Sequence, residues 1–402
     1  MLPVGDGSGR LAVNDLRGLL YLTDGAGSPL TVYMDLRELD AGFDDSMFPN
    51  ETGLASFAFH PEFATAGKPG YGKLYTAYST PSHTGKAHYL DDDAASHESV
   101  LVEWATTDPG ANVFTGSSRE VMRVGQFSPN HNSASIGFNP TAEEGSADYG
   151  MLYVSFGDGG AAHDPRDFGQ RLDEPNGALV RIDPLGGDAM RPYGIPPDNP
   201  FLGDAAIADE IWAYGLRHAQ HFSWDIDGRL YFTEIGQDQI EEVNIGIAGA
   251  NYGWRLREGT FATAYAIEGA KMGPVYPRPE SEEEAFVYPI AQYDHDEGYA
   301  ISGGFVYRGS IKALHGKYVF SELVKGRLFM IDTADIQPDG LAEITEIDIS
   351  IPGSNDSLRK VGGFADTYRP GTQRADLRLG IDTQGELYVL TKGDGWIRKL
   401  VR

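Results

Sequence analysis

Ten histidines are the residues of this chain that can exchange protons near neutral pH, and His131 stands in the most telling place. It lies in Ser128-Pro129-Asn130-His131-Asn132-Ser133-Ala134-Ser135-Ile136-Gly137-Phe138. The second half alternates apolar with small or polar residues, as a strand does. The first half holds a Pro, two Asn and the His, which is loop chemistry at the head of a strand. A His there can exchange a proton with a ligand or simply cap a turn. Asp158 and Asp164, in FGDGGAAHDP, can bind a hard cation or shape a Gly-rich turn, and the turn is the simpler reading. Arg374, Asp376 and Arg378 alternate with Ala375 and Leu377, which predicts one face of a strand. That face can hold an anionic ligand or a ladder of ion pairs. His60, in AFHPEF, reads as a packed structural histidine.

Several chemistries are excluded. The chain has no cysteine, so disulfides, thiolate metal sites and cysteine nucleophiles are out. FGDGG opens no helix and is followed by no P-loop lysine, which argues against a phosphate cradle. Neither G-x-S-x-G nor HExxH occurs, which removes the serine-hydrolase elbow and the zincins. Thirty-two Lys and Arg stand against 59 Asp and Glu, a formal charge of −27. So negative a surface repels nucleic-acid backbones and anionic lipid. It also suits a salty habitat. No apolar run reaches the 18 residues of a membrane helix. The N-terminus shows no signal peptide, so the expectation is a cytoplasmic chain or a mature form whose leader is gone.

The elements that must position these residues repeat. Six stretches open with Gly and run into β-formers: Gly9-Arg-Leu-Ala-Val, Gly72-Lys-Leu-Tyr-Thr, Gly150-Met-Leu-Tyr-Val, Gly228-Arg-Leu-Tyr-Phe, Gly316-Lys-Tyr-Val-Phe and Gly385-Glu-Leu-Tyr-Val. Flanking strands and Asp/Gly turns, as in Leu379-Gly-Ile-Asp-Thr-Gln-Gly385, make each an antiparallel meander. Six meanders predict an all-β fold, a six-bladed β-propeller of four-stranded antiparallel blades over 1–402 as a single domain. The surplus residues go into rim loops, where function tends to lie. The acidic run 278–285, RPESEEEA, reads as a solvated loop. A pair of β-sandwiches is the alternative.

The loops beside these strands resemble the soluble quinoprotein sugar dehydrogenase family, the PQQ-dependent glucose/sorbosone or aldose sugar dehydrogenases. Gly53-Leu-Ala-Ser-Phe-Ala-Phe-His-Pro-Glu-Phe63 is similar to its GLLGLAFHPDF, Asn130-His-Asn-Ser-Ala134 to NHNGG, and Phe156-Gly-Asp-Gly-Gly160 to GDGG. Asn176-Gly-Ala-Leu-Val-Arg-Ile-Asp183 resembles GKILRID, and Glu210-Ile-Trp-Ala-Tyr-Gly-Leu-Arg217 the approach to GLRNP. Ile235-Gly-Gln237 with Glu241-Glu-Val-Asn244, Asn251-Tyr-Gly-Trp254 and Ile301-Ser-Gly-Gly-Phe-Val-Tyr-Arg-Gly309 continue the family's order. The resemblance implies hydride transfer from a sugar C1 hydroxyl to PQQ with Ca²⁺ as cofactor, and an electron acceptor as partner. It implies a periplasmic or secreted protein. It makes His131 the general base and Arg217 a catalytic cation at the quinone. Glu51, His131, Arg217, His218, Arg374, Arg378 and Lys325 become cofactor contacts, and the carbonyls of Gly236 and Gln237 metal ligands.

This chain departs from the family at three points. His218 replaces an Asn, Ser133-Ala134 replace the two glycines after the histidine, and Lys325 is one step off register. Two other readings stand beside the dehydrogenase. One is a calcium-dependent propeller hydrolase acting on lactones, recruiting Glu51, Asn130 and Glu234. The other is a non-catalytic ligand-binding propeller of the same family.

Overall fold

The structure, a computed structural model, describes residues 1–402 except 41, 45, 47–50, 189–190, 271–272, 282–284, 339, 352–355 and 365–372. Part of the acidic run expected to be a solvated loop, 282–284, therefore lies outside the described residues. Regular structure among the described residues is nearly all strand. The α-helices Leu36–Leu39, Ala264–Glu268 and Leu358–Gly362 are single turns, each begun by an Asp, Thr or Ser side chain that accepts a first-turn N–H.

Each Gly-led stretch becomes the second strand of an antiparallel sheet: Leu11–Asp15, Lys73–Pro81, Leu152–Phe156, Leu230–Glu234, Lys317–Glu322 and Leu387–Thr391. All six glycines have φ between +71° and +81°, the left-handed region that the turn into the strand requires. Five of these sheets have four strands; the last, Leu377–Ile381 with Leu387–Thr391 and Trp396–Lys399, has three. A seventh, small sheet of Arg257–Glu258, Phe261–Ala262 and Tyr276–Pro277 was not foreseen. Its strands are two residues long, too short for periodicity to show.

The chain divides into two compact units. One comprises Leu2–Ala219 and Ile247–Arg255. Its core is built by Leu20, Leu74 and Trp104 in one cluster and by Tyr75, Val154 and Ile182 in another. The other comprises Met1, Gln220–Gly246 and Leu256–Arg402. Its core contains Tyr231 stacked on Tyr318 at 5.0 Å, with Phe320 and Phe329 beside them. Burying one such phenylalanine is worth roughly 1.5–3 kcal/mol.

The sheet of Ser133–Phe138, Leu152–Phe156, Ala178–Ile182 and Ile211–Tyr214 positions the histidine. Its strands are antiparallel neighbours in chain order. The starts of the first and third and the ends of the second and fourth therefore share one edge. Backbone hydrogen bonds carry the ladder past that edge. The N–H of Gly157 donates to the carbonyl of Asn132 (3.0 Å), that of Asp158 to Arg217 (2.7 Å) and that of Gly177 to Gly157 (2.9 Å). Residues 131–132, 157–158 and 217 are distant in sequence, and this edge gathers them.

The strand expected to carry Arg374, Asp376 and Arg378 begins only at Leu377. Ala375 bonds through its backbone to Val324 and Gly393, and the chain turns at Asp376, whose φ is +44°. The exposure pattern survives the turn: Ala375 and Leu377 are buried, the three charged residues half-buried.

Candidate functional site

His131 sits two residues before its strand with φ +57°, a left-handed conformation that His tolerates better than most residues. Three backbone and side-chain contacts fix it. Its N–H donates to Glu51 Oε2 at 2.6 Å, its carbonyl accepts the Gly159 N–H at 3.2 Å, and its Nδ1 meets Asp158 Oδ1 at 2.6 Å. A carboxylate only accepts, so in the neutral ring Nδ1 carries the proton and Nε2 is left with the lone pair.

Asp158 is itself held by further donors. Oδ1 also accepts the Gly160 N–H at 3.0 Å, and Oδ2 accepts Trp254 Nε1–H at 2.8 Å. Trp254 is placed by an amide exchange between Gln170 and Asn251, with bonds of 3.1 and 2.9 Å, and by Gln170 Nε2 donating to its carbonyl at 2.6 Å. The Arg217 guanidinium lies 5.6 Å over the Trp254 ring. Neither Asp158 nor Trp254 was foreseen as a support of His131. Both stand in quoted motifs, GDGG and NYGW, but nothing local says that one side chain meets the other.

His218 stacks on His131 with centroids 5.2 Å apart and rings inclined by 20°. Its Nε2 is 3.2 Å from Glu51 Oε2. Burial drives its pKa down to about 4, against the pull of Glu51, so at neutral pH it meets Glu51 as an uncharged N–H donor. Burial disfavours the Glu51 carboxylate, but His218, the His131 N–H and Arg217 outweigh that and hold its pKa low, at about 2. Where the family has Asn, this chain thus has a second imidazole packed on the first. Gly157 makes room for both: a Cβ there would lie 2.5 Å from the His131 carbonyl oxygen and 2.6 Å from His218 Nδ1.

The loop after GDGG is strained. Ala161, His163, Asp164 and Asp167 all have φ between +41° and +66°. The Asp164 carboxylate offsets part of this by accepting the N–H groups of Phe168 and Gly169, both at 2.8 Å, while Arg255 donates to the Asp164 carbonyl at 2.7 Å. Burial and the nearby Asp158 push Asp164 up to about 7. Asp164 thus serves the turn, and Asp158 both the turn and the histidine. His60 is packed as expected: it is 3% exposed, and its Nδ1 accepts the Glu62 N–H at 3.1 Å.

Of the residues a lactonase would recruit, Glu51 Oε2 takes the His131 N–H, and Asn130 Oδ1 takes the Ser128 hydroxyl.

The other unit carries the remaining expected residues. Gly236 and Gln237 open a tight loop in which the N–H groups of residues 237–240 gather on Glu258 Oε1. In trans peptides this turns the carbonyls of Gly236 and Gln237 away from that carboxylate. Outward carbonyl oxygens suit Ca²⁺, a hard cation of flexible coordination. Lys325 Nζ donates to the Glu297 carbonyl at 2.9 Å and sits 4.8 Å over the Tyr299 ring. Arg374 pairs with Asp376 at 3.2 Å. Arg378 donates to the Leu377 carbonyl at 3.2 Å.

The four-stranded antiparallel sheets follow the fold of a sugar dehydrogenase. The PQQ-bound form of aldose sugar dehydrogenase from Streptomyces coelicolor aligns with 99% of this chain and 92% of that one, at TM-score 0.65 and 19% identity. Residues 9–356 match the Glucose / Sorbosone dehydrogenase family, and the chain belongs to it. HIPL1 protein of Arabidopsis thaliana is 28% identical over 375 residues, 80% of this chain and 50% of that protein. Hedgehog-interacting protein of Mus musculus is 24% identical over 324 residues, 79% of this chain and 40% of that protein. The chain spans about half the length of these curated relatives.

Proposed function

We propose that the chain is a quinoprotein oxidoreductase that oxidises the C1 hydroxyl of aldose sugars, with His131 as the base. The observation that carries this reading is the 2.6 Å contact of His131 Nδ1 with Asp158, itself held by Trp254. It leaves Nε2 with the lone pair needed to take a hydroxyl proton. PQQ, when bound, supplies the ortho-quinone that accepts the hydride, and Ca²⁺ polarises it. Arg217 stabilises negative charge on a quinone oxygen; Glu51 and His218 shape the polar wall around His131. Gly236 and Gln237 offer carbonyls to Ca²⁺. Arg374, Arg378 and Lys325 are proposed as cations for the cofactor, the first two for its carboxylates.

The fold proposed for this chemistry is a single six-bladed propeller over 1–402, supported by the six Gly-led sheets. The proposed setting is periplasmic or extracellular, with an electron acceptor as partner. No helix among the described residues is long and apolar enough to cross a membrane.

A second reading is a ligand-binding member without turnover. The Hedgehog-interacting relative and the replacement of Asn by His218 favour it. One experiment separates the two. Apo-protein is titrated with PQQ and Ca²⁺, following quinone absorbance and sugar-dependent dye reduction. The dehydrogenase reading expects both signals; absorbance change without dye reduction supports the binding reading. Ester opening without redox response would support the lactonase.

A further inference from the structure

One oxygen of Glu258 accepts four successive backbone N–H groups: Gln237 at 2.9 Å, Asp238 at 3.1 Å, Gln239 at 2.8 Å and Ile240 at 3.0 Å. The side chain is 5% exposed and comes from the short Arg257–Glu258 strand. Gly236 permits the arrangement. A Cβ there would stand 1.8 Å from the Ile240 carbonyl oxygen and 2.8 Å from Glu258 Oε1, so any side chain would push the loop off the carboxylate.

The consequence lies on the opposite face of the loop. A trans peptide points its N–H and the preceding carbonyl in opposite directions. Among the described residues the one cis peptide is Trp254–Arg255, so this holds for the peptides from 236 to 240. Their N–H ends converge on an anion, as in backbone anion nests, and the carbonyls of residues 236–239 face away. A carboxylate at the positive end of four aligned dipoles polarises them and strengthens the field at the oxygen end.

We propose that Glu258 is the positioning residue of this loop: its carboxylate orients the Gly236 and Gln237 carbonyls to receive a divalent cation. The proposal rests on the reading of that loop as the Ca²⁺ site. Glu258 would touch no ligand; it would act through the peptides, as outer-shell partners of metal ligands do, and loss of such partners costs about 10- to 100-fold in metal affinity.

The test is Ca²⁺ titration of the full-length protein by calorimetry, with and without PQQ, on wild type and three variants. Hydrogen exchange of amides 237–240 is followed in parallel. Glu258→Ala should lose at least about tenfold in Ca²⁺ affinity and lose protection at those amides. Glu258→Gln, whose amide oxygen still accepts the N–H groups, should recover most of both. Glu258→Asp keeps the charge but is one methylene short, and should resemble the alanine variant. If Glu258→Ala is folded by near-ultraviolet circular dichroism and binds Ca²⁺ like wild type, the proposal is overturned. If Glu258→Ala does not fold, wild-type affinity in Glu258→Asp overturns it instead. Wild type that binds no Ca²⁺ in either state removes the loop's metal reading and this proposal together, and leaves the role of His131 standing.

Discussion

His131 is held by neighbours on both its backbone and its ring. Under the dehydrogenase reading, replacing it with Ala should lower sugar turnover by about 10²- to 10⁴-fold while the fold persists. Turnover at the parental rate would defeat the mechanism. Asp158→Asn tests the support separately: the amide can donate to Nδ1, so the ring is no longer held with Nε2 as acceptor. Turnover should fall although His131 is present. A different residue makes a testable contribution to the pH dependence of stability. Glu174 is 2% exposed, and burial pushes its pKa up to about 8, with the Asn176 N–H and Arg171 opposing. A carboxyl raised from its ordinary 4.5 holds its proton longer in the folded chain than in the unfolded one. Its contribution to stability is therefore lost as pH rises from about 4.5 to about 8. Thermal melts of Glu174→Gln should gain on wild type steadily between pH 5 and pH 8; parallel curves would refute the assignment. His60 and His218 act in the opposite sense. Burial lowers both from 6.5 to about 4, so their share of stability is lost as pH falls through that window.

At the scale of elements, the six turns into the second strands make a controlled comparison. Gly9 has φ +80° and nothing within 4 Å of where a Cβ would stand. Gly9→Ala should therefore cost only the left-handed backbone penalty, about 1–2 kcal/mol in denaturant melts. Gly72 has φ +71°, but its Cβ would lie 1.9 Å from the Thr106 carbonyl oxygen. Gly72→Ala must also move that strand, and should cost clearly more. Equal costs would mean that turn conformation alone governs these positions. The same scale explains the site. The strands meeting at one edge make His131 and Asp158 partners although 27 residues separate them.

At the scale of the whole molecule, the −27 charge sets a field that any substrate must cross. Under the dehydrogenase reading, acidic sugars should be oxidised more slowly than neutral aldoses at low salt. The gap should narrow as ionic strength approaches 0.1 M, where the screening length is about 10 Å. A gap unmoved by salt would place discrimination in local contacts rather than in the field.

Much of this protein was legible in its residues. Turn glycines followed by β-formers are local signals, and each of the six marked a real second strand, because a left-handed turn needs glycine and a pleated face needs branched or aromatic side chains. The motif order likewise led to the family. Long-range pairing was not legible. Nothing near Asp158 in the chain announces Trp254, and nothing near Gly236 announces Glu258, since those contacts depend on how strand ends and loops come together. The turn at Asp376 escaped for a related reason: the alternation of burial survives there while the backbone does not stay extended. Sequence determined which strands form and which residue types are present; tertiary structure alone decided that Asp158 would meet His131 Nδ1 and leave the lone pair of the neutral ring on Nε2, because a proton's position depends on the atom that faces it.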